Sequence, residues 1–202
     1  MKNKFIIVIF LILLNLNSTK VFSAEEFIFE ISNLEITDNG NIYKGKNRGK
    51  IIADTQLELV SNNFEYLKKI NQLKAEGDVQ LFDFKNNISI SAETIFYFKD
   101  KDKISTIGKT LIKVSNNYTI EGHDLTLLMD KMILSSNKKT TIKDKALNQY
   151  TLENFYYFIN QEILKGDNIE VSINKNNQAN GDKFLIKNGF FDLKENKFLE
   201  KN

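Results

Sequence analysis

A single histidine, no cysteine and 26 acidic residues bound the chemistry this chain of 202 residues can perform. One imidazole and no thiolate cannot build a His-rich or Cys-based metal site. His123 stands in Glu121-Gly122-His123-Asp124, beside a turn, which predicts a surface role. No Gly-x-Ser-x-Gly elbow, phosphate-binding glycine loop or dinucleotide fingerprint occurs. The carboxylates fall mostly on polar faces or in turns, as Asp100 and Asp102 do in Lys99-Asp100-Lys101-Asp102-Lys103. A glycosidase-type mechanism needs two carboxylates facing each other, and no spacing here dictates such a pair. The expectation is therefore a protein without catalytic residues, metal or cofactor, whose working chemistry is the burial of apolar surface.

That reading rests on a pattern that returns at a nearly fixed interval along the chain. Leu73-Lys74-Ala75-Glu76-Gly77 is echoed by Ile104-Ser105-Thr106-Ile107-Gly108, and Phe64-Glu65-Tyr66 by Ile95-Phe96-Tyr97, each 31 positions later. Asn86-Asn87 with Ile90 and Ala92 returns as Asn116-Asn117 with Ile120 and Gly122. A fixed period marks stacked units, none of which can bury its apolar face alone. Within each unit apolar and polar residues alternate, which is the period of a strand. Ile88, Ile90 and Ala92 share one face while Ser89, Ser91 and Glu93 share the other. Leu125–Met132 and Tyr150–Ile163 also fit a helical spacing, but their place in the repeat favours strands. The architecture expected is all-β: elongated, of stacked antiparallel strands around an apolar interior.

The amino terminus reads as an export signal. Lys2 and Lys4 precede an apolar run from Phe5 to Leu14, and Val21-Phe22-Ser23-Ala24 supplies small residues for cleavage after Ser23 or Ala24. The run is too short for the roughly 20 residues that span a bilayer. The formal charge is +2; residues 1–24 hold three lysines and no acid, so the remainder carries −1. A basic footprint for nucleic acid is absent. The expected organisation is a signal peptide over 1–24 and one exported domain over 25–202. The unterminated strand signal at Gly189-Phe190-Phe191-Asp192-Leu193 fits either a short protein or a piece of a longer one.

Leu73-Lys74-Ala75-Glu76-Gly77-Asp78-Val79, Ile88-Ser89-Ile90-Ser91-Ala92-Glu93 and Ile104-Ser105-Thr106-Ile107-Gly108 resemble the "A-x-G-x-V", "I-x-A" and second "G" rungs of the OstA-like family. This is the periplasmic β-jelly-roll shared by the N-terminal domain of the lipopolysaccharide-assembly protein LptD and by LptA and LptC. The likeness spans roughly Glu26 to Phe198 and is clearest over 49–136. The chain departs from LptD in having no room for its outer-membrane barrel and no cysteines.

The resemblance implies a module that shields lipopolysaccharide acyl chains in a hydrophobic groove and passes them toward the outer membrane. The groove lining it implies is Tyr66, Ala75, Val79, Leu81, Ile88, Ile90 and Ala92, continuing through Ile95, Tyr97, Ile104, Tyr118, Ile120, Leu125 and Leu127. Ala75, Ala92 and Gly122 would leave room between larger neighbours. Phe27, Phe29 and Ile31 at one end, and Phe184 and Ile186 at the other, would be open edges for neighbouring jelly-roll proteins, with an outer-membrane barrel as a further partner. The alternative is a structural or adhesive β-solenoid with a closed interior, binding protein or polysaccharide on its outer face.

Overall fold

A computed structural model describes residues 21–24, 27–54, 56–174 and 183–199. It has the all-β, jelly-roll architecture: two antiparallel sheets stacked face to face and joined along one long side by strands that bend from one into the other. The expected leader lies outside the described residues except for β1 (Val21–Ala24).

The bend explains the repeat. β8 (Gln72–Asp83), β9 (Ile88–Phe98) and β10 (Lys103–Val114) each run through both sheets. Along β9 the buried positions are Ile88 and Ile90, then Ile95 and Tyr97, so the inward face changes parity around Glu93. Opposite that point the registers of β8 and β10 against β9 slip, between Glu76 and Val79 and between Ile107 and Thr110. The extra residues take left-handed conformations at Gly77 (φ 78°), Asp78 (φ 49°) and Gly108 (φ 81°). Bulges of this kind sharpen the bend of a strand, and glycine adopts positive φ without the Cβ penalty. The recurring glycine of the sequence motif is thus a corner residue.

Other crossings break the strand at the corner. The pairs are β4 (Ile42–Lys46) with β5 (Gly49–Ala53), β6 (Leu57–Ser61) with β7 (Asn63–Leu67), β11 (Tyr118–His123) with β12 (Thr126–Leu128), and β13 (Ile133–Ser136) with β14 (Thr140–Asp144). β15 (Gln149–Phe158), β16 (Ile163–Ser172) and β17 (Lys183–Asp192) again cross whole. β2 (Phe27–Glu30), β3 (Asn33–Thr37) and β18 (Lys197–Leu199) complete the ends. A crossing out and a crossing back make one unit of the repeat. The two stretches that fitted helical spacing are mostly strand and turn. Thr126–Leu128 is a strand followed by a turn over 129–132, and Gln149–Phe158 is a strand followed by a single 3-10 turn at Ile159–Gln161.

Register aligns the apolar residues into rows across the strands. In one sheet Phe29, Ile51, Leu59, Leu81, Ile90 and Ile112 are successive cross-strand partners. The row continues through Ile120, Ile142, Tyr150 and Val171. In the other sheet Tyr43, Tyr66, Leu73, Tyr97, Ile104, Leu127, Leu134, Tyr157, Leu164 and Phe191 do the same. All but Tyr43 are buried, and they face one another as a single core.

Candidate functional site

The interior between the sheets is where the sequence-derived lining residues meet. Tyr66, Ala75, Val79, Leu81, Ile88, Ile90, Ile95, Tyr97, Ile104, Ile120, Leu125 and Leu127 are all buried and belong to the one core. Ala92 and Tyr118 are half-buried and pack against its margin. Alternation places them there: an inward residue every second position, with the parity change at the corner keeping both halves of β9 directed inward.

The space between them is filled. Leu59, Leu73, Leu81, Ile95 and Ile120 have no exposed surface, and Gly122, Gly45 and Gly49 do not leave gaps. A Cβ at Gly122 would lie 3.0 Å from Thr140 Oγ1 and 3.4 Å from Leu125 Cδ2. A Cβ at Gly45 or Gly49 would lie 2.6 Å from the Ile31 side chain. These glycines receive neighbouring side chains into the room they leave.

On the side opposite the corner, no strand passes between the sheets among the described residues, and hairpin turns of one sheet confront those of the other. Among the described residues the contacts across this mouth are made by side chains. Lys99 Nζ lies 3.3 Å from Asp54 Oδ1 and 5.6 Å from the Phe27 ring centroid. The Tyr118 hydroxyl donates to Glu162 Oε2 at 2.8 Å, and the Tyr150 hydroxyl lies 3.1 Å from Asp144 Oδ2 and 3.3 Å from Asn196 Oδ1. Burial, followed for Tyr118 by the Glu162 carboxylate and for Tyr150 by Asp144, pushes both phenols well above the ordinary tyrosine value. Tyr157, behind them, is pushed up chiefly by burial. A cleft of about 380 Å³ opens in the mouth between Asp54, Gln56 and Asp83 on one rim and Asp102, Met129 and Asp130 on the other, with Leu57 and Tyr97 among its lining residues.

The two expected edges differ. Phe27, Phe29 and Ile31 turn into the core, 1%, 1% and 5% exposed. The backbone edge of their strand is not open: β1 pairs with β2 from Val21 opposite Glu30 to Ala24 opposite Phe27, and β5 flanks it on the other side. At the far end β17 pairs with β16 along its length but with β18 only over Phe190–Asp192. Its first half therefore presents an unpaired edge among the described residues, with Phe184 49% and Leu185 73% exposed and Ile186 half-buried.

The sequence reading missed much of the second half of the core, including Leu134, Tyr150, Phe155, Tyr157, Leu164 and Phe191. The signal was present: Leu73, Ile104, Leu134 and Leu164 follow at 31, 30 and 30 positions, and Tyr66, Tyr97, Leu127 and Tyr157 likewise. The mouth partners Asp54, Glu162 and Asn196 lie in turns and carry no such periodicity.

The architecture is shared with a protein of known structure. The crystal structure of LptH, the LptA-homologous periplasmic component of the lipopolysaccharide transport device of Pseudomonas aeruginosa, superposes with a TM-score of 0.50. The two are 14% identical, and the match covers 55% of this chain and 81% of LptH. The likeness is one of fold. No protein-family model and no curated protein sequence matches the chain.

Proposed function

We propose that this chain is a periplasmic lipopolysaccharide-transport module, non-enzymatic, which shields acyl chains between its two sheets and hands them on toward the outer membrane. The observation that carries this reading is the combination of an uninterrupted apolar interior with a long side closed only by side-chain contacts. Parting the rims breaks contacts such as Lys99–Asp54 and Tyr118–Glu162, and no backbone ladder. Exposed ion pairs are worth about 1 kcal/mol or less, whereas a twelve-carbon chain gains roughly 10 kcal/mol on leaving water. Acyl chains would cover the apolar rows that separate as the mouth opens, so the opening exchanges one set of buried apolar contacts for another. The shared architecture with LptH supports the same reading.

The lining runs through Tyr66, Ala75, Val79, Leu81, Ile88, Ile90, Ile95, Tyr97, Ile104, Ile120, Leu125 and Leu127, with Ala92 and Tyr118 toward the margin. Signal-peptide cleavage at Ser23 or Ala24 would remove most or all of β1 and free the outer edge of β2 for a neighbouring jelly-roll, while the first half of β17 offers an edge at the other end. An outer-membrane barrel would be the final acceptor.

Photocrosslinking in living cells tests the path. A photoreactive amino acid at Ile90 and Tyr97, 1% and 2% exposed, is expected to give lipopolysaccharide adducts. The same probe at the outward-facing Ser89 is expected to give none. Folded protein with no adduct at either inward site refutes the transport reading and favours a closed solenoid.

A further inference from the structure

We propose that the outer face of the molecule at the corner of β15, β16 and β17 binds an oligosaccharide carrying an acidic group. This site lies on the opposite side of the sheets from the core and stands or falls independently of lipid in the interior.

The recess arises from the irregular course of β15. Its register against β16 slips between Thr151 and Glu153 and again between Glu153 and Tyr156, and such bulges redirect side chains. The bulge packs directly on Gly166, where a Cβ would lie 2.9 Å from the Glu153 carbonyl oxygen. Gly166 is paired with Gly189, so this part of the floor is bare backbone. The resulting concavity is about 400 Å³ and is lined by Tyr156, Phe190, Lys165, Asn154, Asp167 and Asn188 among others. A second concavity of about 310 Å³ shares Tyr156 and Asn154 and adds Asp124, Thr126, Ser135 and Asn137. Both are within the size range of small-molecule sites, and Tyr156 and Asn154 stand on the border of each.

The lining specifies the occupant. Aromatic rings beside amides, hydroxyls and carboxylates suit a pyranose, whose C–H face packs on a ring while its hydroxyls both donate and accept. Tyr156 is 45% exposed, so its ring is available. The acidic group follows from charge. Tyr156, Lys165 and Phe190 are successive cross-strand partners, and Lys165 Nζ sits 5.8 Å from the Tyr156 centroid and 5.5 Å from that of Phe190. No carboxylate pairs with Lys165 among the described residues. Of the carboxylates nearby, Asp124 accepts from the Gly108 N–H at 2.8 Å and pairs with Lys138 at 3.2 Å, while Asp167 keeps its charge and accepts from Asn154 Nδ2 at 2.7 Å through Oδ2. An exposed ammonium held beside two rings without a carboxylate partner attracts an anion.

The test is a titration of the ¹⁵N-labelled protein with trigalacturonate, with neutral maltotriose and citrate as controls. Saturable shifts confined to the side-chain amides of Asn137, Asn154 and Asn188 and to neighbouring backbone are expected for trigalacturonate. Binding of maltotriose is expected to be about tenfold weaker, equivalent to ~1.4 kcal/mol. Lys165→Gln should abolish the preference for the acidic sugar, and Tyr156→Ala should weaken both sugars while leaving the rest of the spectrum unchanged. The proposal is overturned by an absence of saturable shifts, by undiminished binding to either variant, or by equal shifts with citrate.

Discussion

Raising the pH above 10 should unfold this protein through tyrosines held neutral by the fold. Tyr118, Tyr150 and Tyr157 have phenol pKa values raised above 10.0, first by burial, with neighbouring carboxylates adding to the effect. Below that value all three are protonated in both folded and unfolded chains, and their stabilisation is fully present. Above it the unfolded chain releases protons that the folded chain retains, so stability falls as pH rises toward the folded-state values. Each retained proton contributes a slope of about 1.4 kcal/mol per pH unit, and three give about 4 kcal/mol per unit. A domain stable by about 5–15 kcal/mol should lose most of that within two to three units. Urea denaturation at a series of pH values measures the slope, and phenolate absorbance reports which species ionises. Tyr118→Phe is expected to reduce the slope by about one third. At neutral pH it should also lower stability by about 1.5–3 kcal/mol, the worth of a hydrogen bond to a charged group such as the Glu162 carboxylate. Stability independent of pH between 10 and 11, or phenolate appearing at all seven tyrosines near pH 10 in a still-folded protein, would refute the reasoning.

The acid limb should depend on Asp124, whose carboxyl is held below its ordinary value by the Gly108 N–H and then by Lys138. Its stabilisation is present above about pH 4 and is lost as pH falls through the lower folded value, so Asp124→Asn should flatten the acid dependence of the urea midpoint. The two kinds of glycine should separate in the same assay. Gly108→Ala meets no atom within 4 Å but carries φ 81°, so it is expected to cost about 1–2 kcal/mol from backbone strain alone. Gly166→Ala drives a Cβ against the Glu153 carbonyl, so it should cost about 1–3 kcal/mol from overpacking and shift the amides of Asn154 and Asp167. Gly108→Ala should leave those amides in place.

The fold was legible because one physical rule acts everywhere along the chain: alternate residues face inward. That rule placed Leu81, Ile90, Tyr97 and Ile120 in the interior without knowledge of their partners. It does not reveal how tightly the interior is packed. Gly122 reads as a gap in one dimension and is occupied by Thr140 in three, because the neighbour arrives from a different strand, β14. Phe27 and Phe29 show the same limit. Their alternation was plain, but whether their strand is an edge depends on β1, which was read as leader. The recess around Lys165 was invisible for another reason: the slips in β15 leave no mark in the order of residues, and Tyr156, Lys165 and Phe190 meet only once the register is known.

Because each crossing of the two sheets hydrogen-bonds only to the crossings beside it, the dimension perpendicular to the strands is set by how many there are. The sheet that runs from β2 to β17 contains eleven strands, and at about 4.8 Å apiece it measures roughly 50 Å. Gly77 and Gly108 stand at equivalent corners of successive units, so excising or duplicating one whole unit would rejoin the chain in phase. Length is then a quantity that evolution can adjust two strands at a time without redesigning the cross-section: the molecule is graduated like a ruler.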